Sequence, residues 1–368
     1  MILRRTELQL GWHFLTRARI AAFERTPPRE ETTMIRRYAT ALAFLAVSLA
    51  AVAHPAGQTP ARQTTAGPPA AKTWAAPRTP WGDPDLQGTW TTDDYIGVPI
   101  ERPVDLGTKR FLTDEEWNVR AAQQAEQARQ AAQKAPNAGA AVGPPDHWGE
   151  QPRRATRQTS FVVEPADGRI PAVTPDAQKR AAPRDRGSFG GGPFNTFTDF
   201  TNFDRCISRG VVGSILPRPY GNGLDIVQAP GYVALRHEMI HEPRIIPLDG
   251  RPHVGRAITS YMGDSRGRWE GNTLVVETTN FTDQMSIGFN GNGLRHSEHM
   301  RLTERFTRVG ADTIEWQVTI EDSKTYAKPF AMSLLITASP GYEVYEYACH
   351  EGNLGMPHIL SAARAEGK

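Results

Sequence analysis

Cysteine is scarce in this 368-residue chain, which contains only Cys206 and Cys349. Two cysteines exclude a scaffold held together by many disulfides and a zinc site built from four thiolates. An even pair in a secreted protein is typical of one structural disulfide, and the alternative is two unrelated buried thiols. We predict a Cys206–Cys349 bond, which would close a long loop and stabilise the fold by ~4 kcal/mol in the chain-entropy model.

An excess of one charge sign is also missing, since 42 basic and 40 acidic residues leave a net charge of +2. A nucleic-acid-binding protein usually carries a strongly basic surface, so the sequence predicts no nucleic-acid partner. The apolar run 39–52 is too short to span a bilayer as a helix, and no stop-transfer segment follows it. The sequence therefore predicts no membrane span in the mature form.

The run 39–52 fits a secretory signal instead. A basic stretch that begins at Met34 precedes it, and Ala51-Val52-Ala53 fits the cleavage pattern. We interpret residues 34–53 as a signal peptide, with a membrane anchor or a buried helix as the alternative, and residues 1–33 as a non-native extension from a misassigned start codon. The mature protein is thus predicted to be periplasmic or secreted.

The mature chain is predicted to be mainly β. Helix-period patterns are scarce, and 33 glycines and 29 prolines are typical of a turn-rich β protein. Residues 54–80, rich in Ala, Pro, Thr and Gln, indicate a disordered linker. Residues 81–200 are predicted to form an N-terminal extension of loops with one outer helix, 114–134, which begins at the capping box Thr113-Asp114-Glu115-Glu116.

From residue 201 onward, β-type runs alternate with turn sequences, without the helices of a βαβ pattern. The predicted strands are 224–228, 232–240, 244–248, 273–279, 300–307, 313–320, 330–337 and 342–350. Strands at this spacing predict that residues 201–368 form an antiparallel up-and-down barrel or a strongly bent sheet. Residues 263–269 are interpreted as a tight loop that delivers Trp269 to a hairpin.

The string His237-Glu238-Met239-Ile240-His241 is the H-E-x-x-H of zinc peptidases. On a helix its two histidines would share a face, but on a strand they would lie about 13 Å apart, too far for one zinc ion. Pro243 and the turn sequence 229–232 favour a strand. We therefore keep a zinc metallopeptidase as a second alternative and predict no metal and no cofactor. Three other histidines are interpreted as solvated loop residues, with a metal site built from neighbouring strands as the alternative: His253, His296 and His299.

Ionisable residues interrupt the apolar faces of three predicted strands, namely Glu238, Glu304, Glu346 and His350. Burying a carboxylate is unfavourable unless it is paired, so such residues indicate either a structural ion pair or a site. The structural alternative pairs Glu304 or Glu346 with an arginine such as Arg236, Arg244 or Arg301. A slip of one residue in register would also invert every face.

The functional interpretation is a secreted hydrolase or lyase that uses acid–base chemistry in a barrel cavity on a small or carbohydrate-like substrate. The predicted catalytic residues are Glu238, Glu304, Glu346 and His350. The predicted substrate-binding residues are Arg244, Trp269 and Tyr345. The first alternative is a non-catalytic, lipocalin-like binding protein for a small, partly apolar ligand, whose polar groups orient the ligand. A purely structural envelope protein is a further alternative.

Four strings carry a resemblance to a known family: Trp81-Gly82-Asp83-Pro84-Asp85-Leu86-Gln87-Gly88-Thr89-Trp90, and residues 244–253, 263–271 and 345–353. With them the chain resembles a family of secreted bacterial proteins with a W-G-x-P-D-L-x-G-x-W motif. The resemblance implies secretion and transfers no catalytic residue. The strand–turn rhythm of the C-terminal half is also similar to that of lipocalin-like (calycin) barrels, a likeness of architecture that does not fix function.

Overall fold

The computed structural model describes residues 74–133, 149–150, 152–154, 156–181, 192–240 and 242–367. The described residues all belong to one compact unit. The predicted non-native extension 1–33, the predicted signal peptide 34–53 and residues 54–73 of the predicted linker lie outside the described residues. Residues 74–80 were assigned to the linker as well, yet Thr79 among them is buried and bonded to Asp83.

The fold is a mainly β, antiparallel and nearly closed barrel, as the sequence predicted. Its described strands are β1 (Gly88–Thr91), β2 (Val162–Glu164), β3 (Gly223–Ala229), β4 (Tyr232–His237), β5 (Arg244–Pro247), β6 (Asp264–Glu270), β7 (Thr273–Thr279), β8 (Arg301–Gly310), β9 (Thr313–Glu321) and β10 (Phe330–Ala338). Nine of them pair in the order β5-β4-β3-β1-β10-β9-β8-β7-β6, and β2 pairs with β10 beside this path. This barrel-like sheet fits a lipocalin-like architecture.

The helices lie outside the sheet and are few. The described α-helices are α1 (Asp114–Gln133), α2 (Pro175–Arg180), α3 (Val211–Ile215) and α4 (Gly355–Ala365). The predicted capping box begins α1, because Glu116 N donates to Thr113 Oγ1 at 3.3 Å and Thr113 N donates to Glu116 Oε2 at 2.9 Å. Lys134, its predicted last residue, lies outside the described residues. Among the helices described here, none is long and apolar enough to cross a membrane.

Two predictions about strands are wrong. Residues 342–350 do not form a strand but continue as an irregular tail after β10. Both edges of β10 are already paired, to β9 on one side and to β1 and β2 on the other, so no edge of β10 is free for another strand. Conversely, the predicted loop 263–269 is β6, which pairs with β7 along its whole length. Its Gly, Asp and Arg residues are unfavourable in strands, so tertiary pairing overrides local preference.

The sheet also draws strands from before residue 201. Strand β1 lies between β3 and β10, in the middle of the pairing order, and β2 pairs with β10. Trp90 of β1 is fully buried and stands opposite Leu224 of β3 and Ala338 of β10. The sheet is therefore not confined to residues 201–368.

Strands β5 and β6, the two ends of the pairing order, approach each other through side chains without ladder hydrogen bonds. Gly267 of β6 permits this approach, because a Cβ there would lie 2.6 Å from Leu248 Cδ2 and 2.8 Å from Ile246 Cγ2. Side chains fill the barrel between the strands. The fully buried ones include Leu274, Val276, Leu302, Phe306, Ile314, Trp316, Val318, Leu334 and Ile336. The interior is therefore a packed core.

The predicted disulfide is confirmed. Cys206 and Cys349 are bonded, with their Cα atoms 5.6 Å apart and a sequence separation of 143. The bond joins the tail after β10 to the chain before α3. Disulfides persist in oxidising compartments, so the bond fits a protein that functions outside the cytoplasm.

Candidate functional site

Glu304, a predicted catalytic residue, forms an ion pair with Arg244 inside the barrel core. Arg244 Nη1 donates to Glu304 Oε1 at 3.2 Å, its Nη2 contacts Oε2, and Trp316 Nε1 donates to Oε1 at 3.1 Å. Ser265 and Thr278 accept further hydrogen bonds from Arg244. The Glu304 side chain is 0% exposed. This pairing is the structural alternative from the sequence, and it keeps both charges away from any ligand at the surface.

Glu238 lies elsewhere, in a cleft of about 250 Å³ where the ends of β1, β3 and β4 meet the chain after β10. Strand β4 ends at His237, and Ile240 has a φ of 68°, so the chain leaves strand geometry at Glu238. Its carboxylate accepts hydrogen bonds from Gly223 N at 2.8 Å and from the hydroxyl of Tyr342. Burial and the negative charge of Glu238 raise the pKa of Tyr342.

Two carboxylates that the sequence analysis did not single out, Asp93 and Glu150, line the same cleft. Asn222 Nδ2 donates to Asp93 Oδ1 and to Glu150 Oε2, each at 2.9 Å. Burial, together with the hydrogen bond and the charge of Asp93, raises the pKa of Glu150 to about 8. Glu150 is therefore mostly protonated at neutral pH. Glu238 belongs to a carboxylate cluster whose other members are Asp93 and Glu150.

The other predicted site residues do not line this cleft. Glu346 and His350 are exposed on the tail after β10, and Tyr345 beside them is 73% exposed. Trp269 of β6 is half-buried and packs against the edge of the core. The structure thus brings Arg244 and Glu304 together and separates that pair from Glu238 and from the tail.

The H-E-x-x-H string does not start a helix. Its first residue ends β4, and residues 238–240 form a bend, so the strand stops three residues before its predicted end; His241 lies outside the described residues. Burial, and then the charges of Arg244 and Arg209, lower the pKa of His237 to about 3, so its imidazole is neutral. No group of three or more His, Cys, Asp or Glu side chains suited to a metal ion occurs within the described ranges.

A larger cleft of about 510 Å³ opens between loop 252–259 and the start of β8. We call it the 253–301 cleft, after His253 and Arg301, which line it together with Val254, Arg256, Thr279, Asn280, Met300 and others. Met300 is buried, and Val254 is half-buried. Sequence analysis missed this cleft, because it interpreted His253 and His299 as solvated loop residues.

Two side chains hold the loop that forms one wall of this cleft. Asp264, the first residue of β6, accepts hydrogen bonds from Val254 N at 3.1 Å and pairs with His253 Nδ1 at 2.8 Å. Asn280, just after β7, donates through Nδ2 to the carbonyl oxygens of Val254, Gly255 and Ile258, at 2.9 to 3.2 Å. The wall is therefore fixed from both sides by hydrogen bonds within the protein.

Asp264 is the charged anchor of the loop. Burial alone would raise the pKa of Asp264, but hydrogen bonds from His253 and Val254 and the contact with Arg266 hold it below its usual value. Asp264 is therefore ionised at neutral pH, and its charge is shared between His253 and Arg266. In the sequence, the string 263–271 marked this region as distinctive. Nothing near it along the chain indicated that Asp264 would hold loop 252–259.

The fold and these clefts define a disulfide-bonded, barrel-like β protein with clefts at the margins of a packed barrel. No protein-family model matches the chain, and no curated protein matches it. Among solved structures it is similar to a secretary abundant heat soluble (SAHS) protein from Ramazzottius varieornatus, at 14% identity, over 38% of this chain and 87% of that chain, with a TM-score of 0.21. A likeness this weak supports no inference, and the barrel assignment rests on the strand pairing.

Proposed function

We propose that this protein is a secreted binding protein for a small, partly apolar ligand, and that the ligand occupies the 253–301 cleft. The observation that carries the proposal is the fixed loop wall. Asp264 and Asn280 hold loop 252–259 in place through hydrogen bonds that need no ligand. A site that is already ordered loses less conformational entropy when it binds, which favours affinity.

The size and lining of the cleft support the same function. A volume of about 510 Å³ falls within the range of small-molecule sites, roughly 300–1,000 Å³. The apolar lining residues are Pro252, Val254 and Met300, and the other eight are polar or charged. Polar groups that converge on a cleft fix the orientation of a bound ligand.

Secretion is supported by one structural observation and by the sequence predictions. The disulfide between Cys206 and Cys349 fits an oxidising compartment. The predicted signal at residues 34–53 and the resemblance to a secreted bacterial family agree with it. We therefore propose that the binding protein functions in the periplasm or outside the cell.

The hydrolase or lyase remains a second candidate because of Glu238. Its cleft holds Glu150, a carboxyl group that is protonated at neutral pH beside Asp93, and a protonated carboxyl group can act as a general acid. Measuring hydrolysis of a glycoside and ester panel tests this candidate. Glu238→Gln should abolish any turnover that is found, and turnover unchanged in that variant would exclude Glu238 as a catalytic residue.

The binding proposal is tested by calorimetric titration with 2-naphthamide, a neutral compound of suitable size, and 2-naphthoate, its charged counterpart. We expect saturable 1:1 binding of at least one compound, with NMR shift changes at the amides of Val254, Thr279 and Met300. Asn280→Gly keeps the backbone conformation but removes three hydrogen bonds to the loop, so it should weaken binding about ten-fold. Asn290→Gly, at another position with a φ of 57°, is the matched control and should change nothing. Absence of saturable binding by both compounds would reject the proposal.

A further inference from the structure

The 253–301 cleft is lined by two arginines without a carboxylate partner among the described residues. Arg256 is exposed on the loop, and Arg301 is exposed at the start of β8. Arg301 stands opposite Glu321 in the ladder, but the two side chains form no ion pair in the described part of the chain. Arg266 beside the cleft differs, because its guanidinium is paired with Asp264.

Negative charge around the cleft is smaller than the positive charge of the two arginines. Asp264 beneath the loop is shared between Arg266 and His253. Glu298 is the carboxylate among the lining residues, and its Oε1 lies 3.8 Å from His299 Nε2. The two guanidinium groups therefore leave a local excess of positive charge facing the cleft.

The Asn280 side chain is also engaged there, whereas the hydrogen-bond donors of the two arginines remain. Asn280 Oδ1 accepts from Thr279 Oγ1 at 2.8 Å, and its Nδ2 serves the loop carbonyl groups. Arg256 and Arg301 carry several N–H donors each and can accept nothing. A ligand that satisfies this lining must bring acceptors, and preferably negative charge, because guanidinium groups bind carboxylate and phosphate oxygens most strongly.

We infer that the ligand of the 253–301 cleft is an organic anion, whose acidic oxygens contact Arg256 and Arg301 and whose apolar body lies over Met300 and Val254. This inference rests on the proposed binding function and specifies its ligand class.

The test compares 2-naphthoate with 2-naphthamide, which share shape and differ in charge. We expect the Kd of naphthoate to be at least ten-fold lower than that of naphthamide at low ionic strength, and the ratio to shrink as salt is added. Arg301→Gln should reduce the ratio at least five-fold, and Arg301→Lys should retain most of it. Arg256→Gln is a second variant with the same expectation. Arg305→Gln is the matched control, since Arg305 is on the same strand but pairs with Glu270 outside the cleft.

The outcomes separate this inference from the function on which it rests. Equal affinities for naphthoate and naphthamide would overturn the anion inference and leave the binding function standing. Binding of neither compound would overturn both. An affinity ratio that is unchanged in both Arg301→Gln and Arg256→Gln, or reduced as strongly in Arg305→Gln, would also overturn the inference, because the selectivity would then come from the general charge of the surface.

Discussion

At the scale of single residues, Glu304 places a negative charge inside the barrel core. Glu304 was noticed because a carboxylate interrupts an apolar strand face. In the structure it neutralises Arg244 in the core, with Trp316 as a further donor. A buried ion pair of this kind contributes little compared with an apolar core, but removing one partner leaves an uncompensated buried charge.

Glu304→Gln should therefore lower the free energy of unfolding by about 3–5 kcal/mol, because Arg244 would lose its counter-charge inside the core. Urea denaturation measures the change. The control is Asp312→Asn, which breaks the exposed pair with Arg154 and should cost less than about 1 kcal/mol. The double variant Arg244→Met/Glu304→Met should recover most of the loss. Unchanged stability in Glu304→Gln would contradict the assignment of this pair to the core.

Glu150 makes the stability of the fold decrease as the pH rises, because its pKa is raised in the folded protein. Its pKa is raised from a model-peptide value of 4.5 to about 8 in the folded protein, so the folded state binds its proton more tightly than the unfolded state does. The resulting stability is fully present below pH 4.5 and is lost as the pH rises through about 8. Glu150→Gln keeps a neutral side chain at this position and should lose less stability than the wild type between pH 6 and pH 9.

Thermal unfolding midpoints across this pH range measure the effect. Glu315→Gln, which changes an exposed carboxylate on β9, serves as the control and should follow the wild-type curve. Parallel curves for Glu150→Gln and the wild type would show that Glu150 titrates normally. The idea of a proton held beside Asp93 would then be wrong.

At the scale of elements, the sequence predicted most of the strands within residues 201–368. It did not predict that β1, β2 and β6 also belong to the sheet. Seven predicted runs correspond to β3, β4, β5, β7, β8, β9 and β10. Alternating apolar residues made these strands visible, whereas β1 and β2 are too short to show a period. Strand β6 carries glycine and arginine residues that mask it, and only its pairing with β7 defines it.

Strand β1 should be indispensable, because β3 and β10 both pair with it in the middle of the sheet. The fragment 93–368, which lacks β1 and the buried Trp90, is expected to show no cooperative unfolding transition by circular dichroism. The fragment 74–368, which contains every described residue, is the control and should unfold cooperatively. Cooperative unfolding of fragment 93–368 would mean that the barrel closes without its central strand.

At the scale of the whole molecule, one covalent bond links the C-terminal tail to the body. The segment after β10 has no strand partner, and Cys349 fastens it to Cys206. Asn353 also donates to the sulfur of Cys206 at 3.3 Å. A cross-link between residues this far apart in sequence restricts the unfolded chain strongly.

Replacing both cysteines by serine should lower the free energy of unfolding by about 4–5 kcal/mol in the chain-entropy model. Guanidinium denaturation of the Cys206→Ser/Cys349→Ser variant measures the loss, and the wild type treated with a reductant should match it. The reductant should leave the variant itself unchanged. A stability equal to that of the oxidised wild type would show that the bond does not restrict the unfolded state.

The sequence by itself determined the features that depend on neighbours along the chain. Alternation of apolar residues predicted most strands, and hence an antiparallel barrel or bent sheet. The capping box at Thr113 predicted the start of α1, and the presence of a single cysteine pair predicted the disulfide.

Only the tertiary structure decided which distant residues meet. Arg244 is 60 positions from Glu304, and Asn222 is 129 positions from Asp93, so no local pattern links them. The carboxylate cluster around Glu238 and the 253–301 cleft exist because the closing sheet brings such segments together. Two scarce cysteines and a balanced charge excluded whole classes of protein, but the 253–301 cleft depends on contacts that form only when the barrel has closed.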